Sequence, residues 1–427
     1  SLERAISAVE GAPTPSKRAL RQSRLQLVLQ SIPHVVPFET RVALFDELRA
    51  RDRAANATLE MHPELGFAVP ARIRFTVRRT HLLEDSFTAL RDMERSHADP
   101  RTPFTITFVS AAEGTAEAGI DGGGLLKELM DKTIEKAFSP DYFLFNETPT
   151  HTVYPNPVSV AVSSGALEHY RLLGLLLGKA VYEGVQIGPV FAGFFARKLL
   201  GRAASFDDLA TLDHEMYRSL TRMRRMTAAE VDALCLDFTM THDVLGEKRT
   251  VPLIPGGEAV AVTADNVSRY VSLVCDHLLN TSIAPQCRAF LRGFRVLIPL
   301  VWARIFGPQE LSMLLSGTDK PVDVADLRAH TAYSGGYHDE HPVIVNFWRV
   351  LGALSEADKR LFLAFVTASP RPPLLGFGAL RPSFAISKVP IFGDERLPTA
   401  STCMSLLRLP TYSTADVLEA RLLVAIR

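Results

Sequence analysis

Residues 169–184, HYRLLGLLLGKAVYEG, constrain the fold more than any other stretch of this chain. The segment is apolar on most sides, so a helix here has no broad face to give to water and belongs inside a core. Gly174 and Gly178 lie four apart on one side of that helix, where they would let another element approach closely. Enclosing such a helix takes a large domain, and 427 residues suffice for two or three compact units. The longest apolar runs, such as 172–177 and 296–303, stop far short of a bilayer span.

Charge excludes several functions. Lys+Arg and Asp+Glu each total 47, so no basic excess argues for nucleic acid and no polybasic run argues for a membrane surface. The start Ser1-Leu2-Glu3-Arg4 is polar, unlike a signal peptide, and reads as part of something longer. Cys235, Cys275, Cys287 and Cys403 are widely spaced without C-x-x-C pairs, which favours a reducing compartment over a disulfide framework or a zinc module. The expectation is a soluble intracellular protein, cytoplasmic and also nuclear.

Along the chain, residues 1 to about 60 read as helical and polar, broken at Pro13, Pro15, Pro33 and Pro37. Within them Val42, Phe45 and Leu48, widened by Leu44, give the segment 41–51 one apolar face that should pack on the following domain. Alternation predicts strands at 73–78 and 104–109. Residues 123–201 are mainly helical in pattern, 205–290 mix short amphipathic helices with loops, and 285–315 is helical again. The small polar stretch Ser316-Gly317-Thr318-Asp319-Lys320-Pro321 is the best interdomain hinge. Beyond it the pattern predicts helices at 343–354, 359–366 and 415–426, with short strands at 389–392 and 404–409. The fold class is α+β.

Local chemistry narrows the candidates. Asp121 is a plausible N-cap for a helix beginning near Leu125, and GGGLLKEL lacks the Gly-Lys-Ser/Thr ending of a phosphate loop. Gly335-Gly336 should permit a left-handed turn, and Arg371 with Pro372-Pro373 should hold a cation near the loop that carries Cys403. His330, His338 and His341 are irregularly spaced, and neither cysteine nor a carboxylate pair completes a tetrahedral metal set.

The decisive phrase is LPTASTCMSLLRLPTYS, in which Cys403 sits between hydroxyl residues and an apolar run. It resembles the active-site loop of HECT-type ubiquitin ligases, which reads LPT-x-x-TC followed by an apolar stretch, LP and a tyrosine. Other motifs follow in the family's order: Arg78-Arg79 with Leu83-Glu84-Asp85, Gly122-Gly123-Gly124 with Lys127-Glu128, Tyr154-Pro155-Asn156-Pro157, Leu177-Gly178-Lys179-Ala180 and Leu253-Ile254-Pro255-Gly256-Gly257. Leu314-Leu315-Ser316-Gly317, Tyr333-Ser334-Gly335-Gly336-Tyr337, His341-Pro342-Val343-Ile344 and Ser369-Pro370-Arg371-Pro372-Pro373 complete the series. The spelling is most similar to the proteasome-associated HECT ligases and their plant relatives.

The resemblance implies a bilobal domain: an N-terminal helical extension at 1–69, a large N-lobe at 70–316, a hinge at 317–322 and a small C-lobe at 323–427. It implies that Cys403 takes ubiquitin from a conjugating enzyme as a thioester and passes it to a substrate lysine, without a bound cofactor or metal. Partners would be ubiquitin, the conjugating enzyme, protein substrates and the proteasome. By position, the conjugating enzyme would dock within about 205–285, in an apolar groove containing Met216, Leu220, Tyr270 and Val274.

A free cysteine with a pKa of about 8.5 is already a good nucleophile, and a thioester is an activated acyl donor, so exchange needs little beyond alignment and oxyanion stabilisation. Thr402 could bond to the attacked carbonyl or cap its own loop. Ser401 stands where the family most often has His, and Asp394 and Glu395 are the acids nearest in sequence for lysine deprotonation. Family members continue past the last helix into a short tail with a phenylalanine, so an untrimmed end at Arg427 would load ubiquitin yet transfer it poorly. The alternatives are a catalytically weak scaffold that only binds a conjugating enzyme, or a cysteine hydrolase, which would want a positioned His.

Overall fold

The structure, a computed structural model, describes residues 32–61, 66–109, 124–186, 190–244, 246–318, 320–367, 369–380 and 382–427, with backbone alone at 390–392 and 403. The proposed Asp121 cap, the hinge residue Asp319 and most of residues 1–60 up to 31 lie outside the described residues. Helix α1 spans Phe38–Ala55, entered from Pro37, whose carbonyl accepts the Arg41 amide. Val42 and Phe45 point inward as their spacing predicts, and Phe45 meets Trp302 and Phe306 edge to face. Strands β1 (Ile73–Arg78) and β2 (Phe104–Val109) pair in parallel, with helix α2 (Leu82–Arg95) as the crossover a parallel pair requires.

Helix α3 is Gly124–Ala137 and α4 is Ala166–Glu183. Helix α4 is enclosed nearly all round, and it ends at Gly184, whose φ of 77° supplies the left-handed cap. Lys179, fully buried on it, pairs with Glu183 at 2.7 Å, donates to the carbonyls of Arg101 and Thr102, and sits 4.4 Å from the Phe104 ring. The one buried charge on this helix is therefore compensated by a carboxylate, two carbonyls and an aromatic ring.

Helices α5 (His214–Met223) and α6 (Val267–Asp276) flank a hairpin of β3 (Thr239–Val244) and β4 (Glu247–Pro252). That hairpin corrects the reading of 205–290 as helices and loops. All six residues of β4 are exposed, so the strand carries no alternation of apolar and polar residues to reveal it. The segment 285–315 is likewise several helices, α7 (Ala284–Phe294), the short Leu300–Ala303 and α8 (Pro308–Ser316), divided at Pro299 and at Gly307-Pro308. Helix α7 is the element that approaches the glycines of α4. A Cβ on Gly174 would lie 1.9 Å from the Phe290 carbonyl oxygen, and one on Gly293 would lie 1.9 Å from that of Arg171.

The C-terminal unit holds β5 (Ala332–Ser334), α9 (Pro342–Ala353), α10 (Glu356–Thr367), β6 (Ala385–Phe392), β7 (Thr399–Ser401), β8 (Leu406–Thr411) and α11 (Ala415–Ile426). Its sheet runs β7-β8-β6-β5, with β6 parallel to both neighbours and β7 antiparallel at the edge. The expected strand at 404–409 starts two residues later, because Thr402–Met404 is a tight turn. Buried side chains form two clusters, one drawn from Val42 to Leu315 and one from Val322 to Ile426, and the stretch at 316–321 runs between them.

Candidate active site

Cys403 occupies the turn of the β7–β8 hairpin, beyond the pair Ser401 and Leu406. The turn is closed by the Ser405 amide donating to the Thr402 carbonyl at 3.2 Å, and Ser405 itself takes φ 46° and ψ 42°, which throws the chain back into β8. Thr402 thus caps its own loop through its backbone, and its side chain is half-buried. Helices α3 and α10 come within 8 Å of the turn, Cα to Cα. Leu397 and Met404 are exposed beside it.

The approach to the turn is tied down from behind. Asp394 accepts from the Ser413 amide at 2.9 Å and the Ser413 hydroxyl at 2.5 Å, and these bonds hold its carboxyl below the usual range. Arg421 Nε donates to the Asp394 carbonyl at 2.8 Å, and the Tyr412 hydroxyl donates to the Arg396 carbonyl at 2.6 Å. Asp394 is therefore occupied, whereas Glu395 is exposed. Two of the other cysteines are poor nucleophiles, since burial pushes Cys275 up to about 11 and Cys287 up to about 12, whereas Cys235 is exposed.

The four docking residues stand together, but not as an open groove. Helix α5 packs on α6, and Leu220, Tyr270 and Val274 are only 3, 8 and 3% exposed; Met216 is half-buried against the same core. A spacing of four puts residues on one face, and here that face closes on its neighbour. Among the described residues, the large apolar side chains this region does expose are Leu234, Val251 and Val260, which the sequence analysis did not single out. The hairpin meets the end of α6 through His242 and His277, whose Nε2 atoms are 2.7 Å apart in stacked rings. His330 contacts Asp326, His338 lies near Glu340 and His341 caps α9 through the Val343 amide. Among the described residues no three His, Cys, Asp or Glu side chains converge.

A family model for the HECT domain (ubiquitin-transferase) matches residues 131–427, more than two-thirds of the chain and including the cysteine hairpin. This chain belongs to the HECT family. The domain is 40% identical over 407 residues to "Probable E3 ubiquitin protein ligase C167.07c" of Schizosaccharomyces pombe, covering 95% of this chain and 38% of the relative. It is 39% identical over 415 residues to "E3 ubiquitin-protein ligase UPL6" of Arabidopsis thaliana, with 96 and 39% covered. To "Ubiquitin-protein ligase E3B" of Homo sapiens it is 36% identical over 435 residues, with 95 and 40% covered. The chain thus spans about two-fifths of the length of these relatives. HECT enzymes are ubiquitin transferases that work through a thioester, in an α+β fold.

In this HECT domain the two cores touch across a cavity of about 400 Å³ lined by α1, α3, the end of α4 and residues 367–380. Lys127 Nζ donates to the Thr367 carbonyl at 3.2 Å, and Ser369 Oγ donates to Gln186 at 3.2 Å. Arg371 donates to the Ser316 carbonyl at the end of α8. The cation expected near the cysteine loop thus bonds to the segment between the cores. Burial lowers the Lys127 pKa. Among the described residues no helix is long and apolar enough to cross a membrane.

Proposed function

We propose that Cys403 accepts ubiquitin from a conjugating enzyme and passes it to a lysine of a protein substrate. The Cys403 thiolate attacks the incoming thioester carbonyl and the conjugating enzyme's thiolate leaves. The substrate amine, having lost a proton to solvent or a nearby base, then attacks and expels the Cys403 thiolate as an isopeptide bond forms. The observation that carries this reading is a cysteine in the tight turn of an edge hairpin, spelled LPTASTC, in a HECT-family chain.

The lobe at 70–316 would receive the conjugating enzyme within about 205–285, and the lobe at 323–427 carries Cys403. Residues 317–322 would be the hinge that brings the two thiols together. The extension at 1–69 would pack on the larger lobe, and Thr402 would steady the attacked carbonyl. The similarity to the proteasome-associated branch supports the proteasome as a partner, with the cytoplasm and nucleus as sites of action.

Ubiquitin transfer from a loaded conjugating enzyme, followed on gels with and without reducing agent, tests the reading. A reducible adduct present in wild type and absent in Cys403→Ala is the expected result, with lysine-linked products beside it. No adduct with any of several conjugating enzymes overturns it and leaves a scaffold that only binds them.

A further inference from the structure

We infer that Tyr412 and Asp394 are positioning residues for the acyl transfer at Cys403, an inference that rests on the function proposed above. The cysteine turn hangs from β7, a three-residue edge strand paired on one side only, with β8. Such a strand cannot fix the turn alone, so the segment 393–398 that feeds it must be anchored elsewhere. Its anchors come from the far end of β8 and from α11. Tyr412, 4% exposed, reaches from the second core to the Arg396 carbonyl at 2.6 Å. Burial pushes its phenol up to about 12, so it stays a donor. Asp394 accepts from both the amide and the hydroxyl of Ser413, and Arg421 Nε holds the Asp394 carbonyl at 2.8 Å.

These bonds close a clasp at the base of the hairpin: the segment 393–398 comes from β6, is tied to the end of β8 and to α11, and enters β7, with Cys403 at the opposite end of the hairpin. The bonds described for these groups go to the backbone that feeds the turn and to Ser413. Their effect is on alignment, and attack of one thiol on a thioester held by a second protein demands alignment more than activation. A small alkylating reagent makes no such demand.

The test compares wild type with Tyr412→Phe, Asp394→Ala and Asp394→Asn. Single-turnover loading from ubiquitin-charged conjugating enzyme gives the maximal rate and half-saturating concentration. Iodoacetamide labelling of Cys403, followed by mass spectrometry, reports the thiol itself. We expect Tyr412→Phe and Asp394→Ala to lower the maximal loading rate about 10-fold. Half-saturation and labelling should stay unchanged, and Asp394→Asn, which still accepts a bond, should recover part of the rate. Loading at the wild-type rate in both Tyr412→Phe and Asp394→Ala overturns the inference. So does a fall in labelling that matches the fall in loading, since that marks general loss of structure. A wild type that labels but does not load sinks the acyl-transfer reading itself, which separates the two failures.

Discussion

Ser405 turns the chain at φ 46°, a conformation that costs a non-glycine residue about 1–2 kcal/mol, and its buried hydroxyl has no hydrogen-bond partner among the described residues. Ser405→Gly should therefore raise the melting temperature and keep ubiquitin loading, whereas Ser405→Val should lower both; thermal unfolding beside the loading assay checks this. A second residue-scale effect lies at His242 and His277. Burial holds both below the ordinary histidine value of about 6.5, with the His242 charge adding to the effect on His277 and Asp276 opposing it. Asp243 adjoins His242 in β3, and Arg249 faces it across the hairpin. The unfolded chain binds more protons here than the fold does, so the stabilisation is whole above about pH 6.5 and is lost as pH falls through the depressed values. Melting curves from pH 7.5 down to 5 should show a decline that His242→Phe flattens. Cys403 was legible from sequence because its neighbours spell a phrase, and Tyr412 belongs to the same phrase, though the phrase is silent on its bond to Arg396. The His pair joins positions 35 apart along the chain and leaves no local signal.

At the scale of elements, the contact between α4 and α7 is backbone on backbone, permitted by Gly174 and Gly293 facing opposite ways across it. Gly293→Ala or Gly174→Ala should destabilise the larger core by about 3 kcal/mol or more, since carbonyls rather than flexible side chains stand in the way. Urea unfolding monitored by tryptophan fluorescence would measure it. The sequence reveals this helix and its close approach because an all-apolar face and paired glycines are local patterns; it does not name the partner. Strands β5 and β7 are three residues each, too short for alternation to register, and β4 faces water throughout. Met216, Leu220, Tyr270 and Val274 show the opposite limit of pattern reading. Their spacing defines a face clearly but is silent on whether a ligand or a neighbouring helix covers it.

At the scale of the whole molecule, α1 is stitched to α8, the last element before the segment between the cores. Arg41, 3% exposed, grips Glu310 with two bonds of 2.5 and 2.6 Å and donates to the carbonyls of Val36 and Ile305 at 2.8 Å. Arg41→Ala should cost about 3 kcal/mol, because it strands a partly buried carboxylate, and denaturant unfolding would register it. The split into two cores has a consequence for how the protein is made. Among the described residues every fully buried side chain of the first core lies at or before Leu315, with Leu375 packed against it from later in the chain, so most of that unit can consolidate while the remainder is still on the ribosome. The turn bearing Cys403 gains its supports only when β8, Tyr412 and α11 follow it out of the exit tunnel. At about 5–20 residues per second, the thiol is assembled some ten seconds after the first core is complete. A nascent chain thus presents a folded platform well before it can carry an acyl group.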